Sequence, residues 1–324
     1  MRINRHTLVS KNQPQIFHVI SRVVDRRLIF GDAEKGFFLG LMRRLEKFSG
    51  LEILSYCLMG NHFHLLLRVP LKPADISTEE VRERMKVIYS DRRMALFDAE
   101  IEQKRDSGYI EFEEEFYDRQ RRRMYDLSAF VRELKLTFSK WYNRRNERKG
   151  TLWEERFKSV LVEGREGAMM RVAAYIELNP IRAGIVDDPC DYRWCSYTEA
   201  IAGGEKARSG IMKLSGSLAQ IDDWDAAASK YRENYLKVGV AQNEKRKGFG
   251  QEKLKEFYDK NSRLSGDIMW KARIRYFTDG VVIGSREFVE NFSSINKDFL
   301  LRKGRRKSYL LGKLENIFSY RLVK

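Results

Sequence analysis

The chain has 324 residues, of which 43% are hydrophobic, and it carries 62 Lys and Arg against 46 Asp and Glu. This composition is typical of globular proteins and excludes a disordered or fibrous chain. The net charge of +16 indicates a polyanionic partner, although structural and catalytic nucleic-acid-binding proteins share this property. The sequence has neither a run of about eighteen apolar residues nor an apolar signal core near its start, which predicts a cytoplasmic protein that does not enter a membrane.

The first part of the chain predicts a strand, a helix and two further strands. Residues 16–24 form a β-rich run, residues 33–48 place apolar side chains at helical spacing, and residues 51–69 contain two apolar runs. This β-α-β-β order favours an α+β fold. His18 lies on the first predicted strand, and we interpret it as a hydrogen-bonded core or rim residue rather than as a ligand.

The two apolar runs flank Gly60 and Asn61, which predict a tight turn because both residue types tolerate positive φ. His62 and His64 begin the second run. Side chains alternate along a strand, so the two imidazoles point to the same face. A single histidine on a strand is usually a surface or hydrogen-bonded residue, but burying two titratable rings together is unfavourable unless something pairs with them. The pair therefore predicts either two ligands of one metal ion or two donors around one phosphate.

A charge-rich segment at 72–116 has a partly helical pattern without strand signals, and we interpret it as a helical insertion with a solvated face. The following segment, 117–150, combines a second predicted helix with dense positive charge and interleaved aromatic residues. Cations at a helix C-terminus are favoured by the helix dipole, so part of this cluster has a structural explanation. Its density favours contact with phosphate groups. Gly150 is predicted to cap the helix. The candidate DNA-binding residues are Arg121, Arg122, Arg123, Lys140, Arg144, Arg145, Arg148 and Lys149.

Residues 151–163 predict another strand, and residues 166–178 predict a helix that stops before Pro180. Tyr175 and Asn179 are four residues apart and should share one face. If this face packs against the histidines, the Asn179 amide oxygen could complete a three-ligand metal site. Tyr175 could then supply a phenolate nucleophile, for which it needs a nearby cation or base. Most helical tyrosines beside alanines are packing residues. Only the combination of Tyr175 with Asn179 and the two histidines indicates catalysis.

Residues 180–202 predict a closing loop with a short helix, and Gly203 and Gly204 mark a domain boundary. The remainder, 203–324, is predicted to be mostly helical, with basic clusters at 244–248 and 302–307. Three cysteines are too few for a disulfide framework and lack the spacing of a zinc knuckle, so we interpret them as core or incidental residues. They are Cys57, Cys190 and Cys195.

Several ordered motifs resemble those of the single-tyrosine HUH transposases, in particular the REP-associated tyrosine transposases of the IS200-like group. The resemblance covers roughly residues 14–202. One departure is Gly60, which stands where the family commonly has proline, and the charged insertion and the C-terminal extension fall outside the family's core pattern. The matching motifs are FHVISR, LMGNHFHLLL, GTLWEERFKS, AAYIELNPIRAGIV and DYRWCSY.

The resemblance implies a ferredoxin-like (RRM-like) HUH domain at 1–202, with a central antiparallel sheet, the helical insertion at about 72–116 and the extension at 203–324. It implies that His62, His64 and Asn179 bind a divalent metal ion, Mg²⁺ or Mn²⁺, and that Tyr175 attacks a DNA phosphate. Members act on single-stranded DNA, often beside hairpins, and work as dimers. We therefore expect a homodimeric, nucleoid-associated transposase that cleaves and rejoins single-stranded DNA through a covalent phosphotyrosine.

Two other functions are compatible with these residues. A domesticated descendant could bind hairpin DNA or RNA without cleaving it. All four motif residues, His62, His64, Tyr175 and Asn179, are nevertheless present. A replication initiator or relaxase would use the same chemistry, but these proteins usually carry the tyrosine and histidine motifs in a different order.

Overall fold

The computed structural model describes residues 13–216, 223–239, 277, 280–296, 306–310 and 317–322, and within them seven strands form one sheet. The strands lie in the order β2-β3-β1-β4-β5-β7-β6. The first four strands thus have the order of a ferredoxin-like fold, and the predicted α+β class is confirmed. The strands are β1 (Gln15–Arg22), β2 (Glu52–Leu58), β3 (His62–Val69), β4 (Lys158–Val162), β5 (Gly280–Gly284), β6 (Arg306–Leu310) and β7 (Phe318–Leu322).

The helices divide between two compact units. The first unit contains the sheet and the helices that follow residue 154, and the second contains residues 30–52 and 69–153. None of the helices in the described part of the chain has the length and apolarity needed to span a bilayer. The helices are α1 (Asp32–Ser49), α2 (Thr78–Ile88), α3 (Asp91–Asp106), α4 (Phe112–Arg121), α5 (Leu127–Arg145), α6 (Glu166–Glu177), α7 (Asn179–Arg182), α8 (Ser196–Ile201), α9 (Glu205–Ser215), α10 (Trp224–Gly239) and α11 (Arg286–Ile295).

In the first unit, β1 pairs antiparallel with β4, so that His18 lies opposite Val160 and Ile20 opposite Lys158. Strands β2 and β3 are joined by a short link in which the Met59 N–H donates to the His62 carbonyl at 2.8 Å. Both strands and the tight link were predicted, but the link does not use the positive φ that Gly60 and Asn61 tolerate, because neither residue adopts it. The link closes through its backbone hydrogen bond without a left-handed residue.

The second unit confirms that the insertion is helical. Helices α2 to α4 share an apolar core with the end of α1, in which Phe48, Val81 and Met85 are almost completely buried. Helix α1 ends at Gly50, whose φ of 72° lies in the left-handed region that favours glycine. The charged segment therefore folds around a core of its own because its apolar residues recur at helical spacing.

Three predictions about the helices and strands need correction. Helix α5 begins after an Asp126 side chain that accepts from the Ala129 N–H and ends with Asn146 as its cap, so the predicted cap at Gly150 was wrong. Gly150 instead has a φ of 89° in the loop that follows. The strand predicted at 151–163 is confined to β4, and strands β5 to β7 of the extension were not predicted. The basic cluster at 244–248, and all but the last two residues of that at 302–307, lie outside the described residues.

The three cysteines are free thiols, as the sequence predicts, and two of them are buried. Near them lies a buried polar network around Glu177, the last residue of α6. The Glu177 Oε1 atom accepts hydrogen bonds from the hydroxyls of Ser55, Ser196 and Tyr231. Burial raises the pKa of Glu177 to about 7, although these hydroxyl donors oppose the shift. The network joins β2, α8 and α10 to the helix that carries Tyr175.

The raised pKa of Glu177 predicts a stability that depends on pH. Between the ordinary carboxyl value of 4.5 and about 7, the folded protein holds a proton that the unfolded chain has lost, so this group's contribution to stability falls as pH rises. Glu177→Gln keeps a carbonyl oxygen for the three hydroxyls and removes the titration. Urea unfolding should show the variant gaining roughly 3 kcal/mol on the wild type between about pH 5 and about pH 8. An equal difference at both pH values would contradict this account.

Candidate active site

Four residues predicted from sequence, His62, His64, Tyr175 and Asn179, line one pocket of about 590 Å³ in the first unit. The histidines come from β3, Tyr175 from α6 and Asn179 from the start of α7. Helix α6 ends at Glu177, before Pro180, as the sequence predicts, and α7 continues almost directly. The structure therefore brings together side chains that are more than a hundred residues apart in sequence.

Each of the two histidines has a hydrogen bond that orients its ring. Their ring centroids are 5.0 Å apart at an interplanar angle of 81°. The Nδ1 atom of His62 lies 2.7 Å from the Oδ1 atom of Asn61. An amide oxygen only accepts, so Nδ1 of His62 carries the proton and Nε2 keeps its lone pair. The Nδ1 atom of His64 lies 3.0 Å from Nε2 of His18.

His18, which the sequence interpretation kept apart from the metal site, is a fully buried partner of His64. The interpretation as a hydrogen-bonded core residue is confirmed, because Nδ1 of His18 lies 2.8 Å from the carbonyl oxygen of Phe277. The His18 and His64 rings stack with centroids 5.2 Å apart. His62 and His64 thus line the pocket, and His18 lies behind His64.

Burial keeps the imidazoles neutral. It lowers the pKa of His18 to about 4, and the hydrogen bond to the Phe277 carbonyl offsets only part of that shift. The pKa of His62 is also lowered to about 4, first by burial and then by the positive charge of Arg22. A neutral imidazole is the form that binds a metal ion, so these rings stay competent for binding well below neutral pH.

His64 is the most strongly shifted of the three rings. Burial lowers its pKa well below the ordinary 6.5, and the neighbouring His62, His18, Arg22 and Arg182 each disfavour a further positive charge. The ring is only 2% exposed. A proton therefore does not compete for its Nε2 atom near neutral pH.

Tyr175 is 3% exposed and is enclosed by aromatic and cationic neighbours. Its ring centroid lies 5.8 Å from those of both His18 and His64, and it stacks on Phe277 at 4.7 Å. The Arg182 guanidinium lies 4.7 Å from the ring centroid and donates to the Tyr175 carbonyl at 2.9 Å. Burial lowers the pKa of Arg182 to about 10, and attraction to Tyr175 opposes that shift. Arg182 is therefore a cation beside Tyr175, of the kind that forming a phenolate requires.

Asn179 is oriented by the helix that precedes it. Its Nδ2 atom donates to the carbonyls of Tyr175 at 2.9 Å and Ile176 at 3.2 Å. Because carbonyl oxygens only accept, the amide nitrogen faces the backbone, and Oδ1 is left to accept from or coordinate a ligand.

The pocket also contains charged residues that sequence reasoning did not place there. Arg22 and Lys158 enter from β1 and the start of β4, and Glu155 contributes an ion pair of 3.4 Å to Lys158. Ser21 lines the pocket as well, and its buried Oγ atom has no hydrogen-bond partner within the part of the chain that the structure describes. Ser21 and Arg22 belong to the FHVISR motif, and Glu155 and Lys158 belong to the GTLWEERFKS motif; membership of these motifs was the only sequence signal for their place in the pocket. The basic lining residues are Arg22, Arg26, Arg156, Lys158 and Arg182.

The donor set suits a divalent metal ion. His62 and His64 present imidazole nitrogens and Asn179 presents an amide oxygen, a mixed set of the kind that Mn²⁺ or a similar ion accepts. Among the described residues, no group of three or more His, Cys, Asp or Glu side chains converges on such a site. A three-ligand centre here therefore depends on Asn179.

The candidate DNA-binding cations lie in the second unit and differ in their surroundings. Arg121 pairs with Glu114 at 2.5 Å and Asp118 at 2.9 Å, and Arg123 pairs with Glu133 at 2.5 Å. Arg148 is partly buried and donates to the Asn143 side chain on α5 and to the Thr151 carbonyl. The remaining candidates are exposed to solvent: Arg122, Lys140, Arg144, Arg145 and Lys149.

Comparison with known proteins finds one matching family. Residues 12–115, about a third of the chain, match the family described as "Transposase IS200 like", and this segment includes both histidines. This part of the chain is therefore similar to the IS200-like transposases, the family that the sequence motifs resemble. A solved structure described as "Structure of the REP associates tyrosine transposase bound to a REP hairpin" is 12% identical. The match covers 63% of this chain and 87% of that chain, with a TM-score of 0.36. No curated protein matches the chain.

The electrostatics of the pocket generate a prediction about Arg22. Its positive charge is the second cause of the lowered pKa of His62, after burial, and it acts on His64 as well. Arg22→Gln should raise the pKa of His62 above about 4, yet leave it below 6.5 because the ring stays buried. An NMR pH titration of ¹⁵N-histidine-labelled protein measures this shift.

Arg26→Gln is the matched control, because Arg26 lines the same pocket but is exposed, so solvent screens its charge. It should move the pKa of His62 less than Arg22→Gln does. The opposite ranking of the two variants would show that Arg22 does not control the titration.

Proposed function

We propose that the protein cleaves and rejoins single-stranded DNA through a transient covalent phosphotyrosine at Tyr175, assisted by a divalent metal ion that His62, His64 and Asn179 hold. The observation that supports this proposal is the convergence, in one basic pocket, of a tyrosine, two imidazole lone pairs and an amide oxygen. A tyrosine that only packs in the core does not require two histidines and an asparagine around it.

The proposed reaction is a transesterification. The Tyr175 oxygen loses its proton and forms a bond to a backbone phosphorus, the bond between that phosphorus and one sugar oxygen breaks, and the released sugar oxygen takes up a proton to become a hydroxyl. Attack by a sugar hydroxyl on the phosphotyrosine reverses these steps, returns the proton and reseals a strand. The metal, when bound, acts as a Lewis acid on a phosphate oxygen. One phosphodiester bond is exchanged for another, so the reaction needs no external energy source.

In this proposal Arg182 stabilises the attacking tyrosine. A phenolate has to form from a group whose ordinary pKa is near 10. A guanidinium 4.7 Å from the ring centroid favours the charged form of the tyrosine, and its burial makes the interaction stronger than it would be in water. The guanidinium also donates to the Tyr175 backbone, which fixes its place relative to the ring.

The other basic lining residues would bind the phosphate backbone. Arg22, Arg156 and Lys158 surround the histidines with positive charge, which attracts a polyanion. Glu155 already pairs with Lys158 at 3.4 Å, but both side chains are about half exposed, so that pair is weak and can yield to a phosphate.

The first prediction of this proposal concerns the covalent intermediate. Wild-type protein incubated with labelled single-stranded DNA carrying a hairpin, and with Mn²⁺, should form an adduct that survives denaturing electrophoresis. Tyr175→Phe should form none, because the nucleophilic oxygen is absent. Tyr192→Phe is the control, since Tyr192 is a buried tyrosine of the same unit whose hydroxyl bonds the Leu58 carbonyl.

Adduct formation by Tyr175→Phe at the wild-type level would exclude Tyr175 as the nucleophile. Adduct formation by the wild type in excess chelator, at the rate seen with Mn²⁺, would exclude the metal.

The second prediction concerns the exposed cations of α5. Arg144→Gln combined with Arg145→Gln should weaken single-stranded DNA binding and lower the slope of log affinity against log salt by about 0.7 for each phosphate that the variant no longer neutralises. Arg92→Gln combined with Lys104→Gln is a matched control of two exposed cations on α3. Fluorescence anisotropy at several salt concentrations gives both slopes. Equal slopes for the two double variants would remove the cluster from the DNA interface.

The burial of Tyr175 favours a second candidate function, a protein that binds hairpin DNA or RNA without cleaving it. The tyrosine ring lies against Phe277 and Arg182 with only 3% of its surface exposed, an environment also expected of a packing residue. The adduct assay separates the two candidates. Tight binding without an adduct would favour the second.

A further inference from the structure

We propose that His18 is a positioning residue for the metal site: it accepts the Nδ1 proton of His64 and so fixes the tautomer in which Nε2 of His64 faces the ligand. This inference rests on the proposed function only in taking His64 as a metal ligand. It assigns a role to a side chain that does not line the pocket itself.

The Phe277 carbonyl determines which nitrogen of His18 carries the proton. A carbonyl oxygen only accepts, so the 2.8 Å contact places a proton on Nδ1 of His18. Burial keeps a fully enclosed imidazole neutral, so Nε2 of His18 has no proton and must act as an acceptor. The 3.0 Å contact between Nε2 of His18 and Nδ1 of His64 therefore holds a proton that belongs to His64. The remaining nitrogen of His64, Nε2, is a lone pair.

The two pocket histidines reach the same tautomer by different routes. His62 donates its Nδ1 proton to Asn61, its neighbour in sequence. His64 donates to His18 on β1, and His18 is in turn held by Phe277, 259 residues further along the chain. Metal-binding histidines usually donate their second ring N–H to such a partner, which orients the ring and increases the basicity of the ligand nitrogen. His18 therefore takes the place that a carboxylate or carbonyl occupies at other sites.

Several contacts show that this arrangement is rigid. His18 is fully buried and lies opposite Val160 in the paired strands β1 and β4. Its ring stacks on His64 at 5.2 Å and meets the edge of Tyr175 at 5.8 Å. Phe277, which orients His18 through its carbonyl, also stacks on Tyr175 through its ring at 4.7 Å. A residue of the C-terminal extension thus touches both the support of the metal ligand and the proposed nucleophile.

The experiment uses the full-length protein, with His18→Gln and His18→Phe as variants. Gln can offer an amide oxygen to the Nδ1 proton of His64, whereas Phe keeps a ring of similar size without an acceptor. Two-bond ¹H–¹⁵N spectra of ¹⁵N-histidine-labelled, metal-free protein report the tautomer of each ring, and the chain has only four histidines. Calorimetric titration with Mn²⁺ alone reports affinity without any measure of activity.

We expect His64 to carry its proton on Nδ1 in the wild type and in His18→Gln, and to lose this preference in His18→Phe. Mn²⁺ affinity should fall about 10- to 100-fold in His18→Phe and recover most of that loss in His18→Gln. Tyr192→Phe, which removes a buried hydroxyl outside the pocket, should bind Mn²⁺ as the wild type does.

The possible failures are distinguishable. A wild-type spectrum with the His64 proton on Nε2 would overturn the inference, and this readout holds even if His18→Phe does not fold. Equal Mn²⁺ affinity in wild type and His18→Phe would also overturn it while leaving the metal site intact. A wild type that binds no Mn²⁺ would overturn the metal site itself, and the role of His18 with it.

Discussion

The buried hydrogen bond between His18 and His64 is the interaction on which the candidate site depends. It joins the neighbouring strands β1 and β3, and it can form only when the two rings share a single proton at 3.0 Å. The Phe277 carbonyl decides which ring donates. Fixing that proton pairs a buried polar group that would otherwise be costly to bury, and in the proposed metal site it would also orient His64 as a ligand. The apolar character of the surrounding strands is therefore compatible with three imidazoles because each proton has an assigned acceptor.

The pocket combines neutral imidazoles with positive side chains, and this combination constrains what can bind. Arg22 and Arg182 disfavour protonation of His64 and, by the same Coulombic effect, oppose a bare metal ion. In the proposed reaction, a DNA phosphate would supply the missing negative charge. We therefore expect metal and phosphate to bind together more tightly than either alone, because each relieves the repulsion that the other meets. Such coupling would keep the tyrosine from reacting before DNA is in place.

Local patterns in the sequence predicted the β-α-β-β order, the shared face of His62 and His64 and the end of α6 before Pro180. These features are fixed by side-chain alternation and proline sterics, which a single sequence displays. The role of His18 and the basic lining of the pocket depend on contacts between distant strands, which periodicity does not reveal. The backbone conformation of Gly60 is another feature that the local pattern did not determine. Its φ is not positive, which is also the requirement of the proline that the family commonly has there, so this departure leaves the link between the strands intact.

The basic segment at 117–150 shows why charge density alone does not define an interface. Arg121 and Arg123 already hold carboxylates, and Arg123 also lies over the Phe48 ring with its guanidinium carbon 4.5 Å from the ring centroid, so both contribute to the packing of the second unit. Binding a phosphate through them means breaking those contacts. Arg144 and Arg145 are exposed at the end of α5, and although the Arg145 guanidinium carbon lies 5.7 Å from the Trp141 ring centroid, that contact involves no carboxylate. The favourable free energy of binding DNA should therefore be larger at the end of α5, because counterions are released there without breaking an internal ion pair.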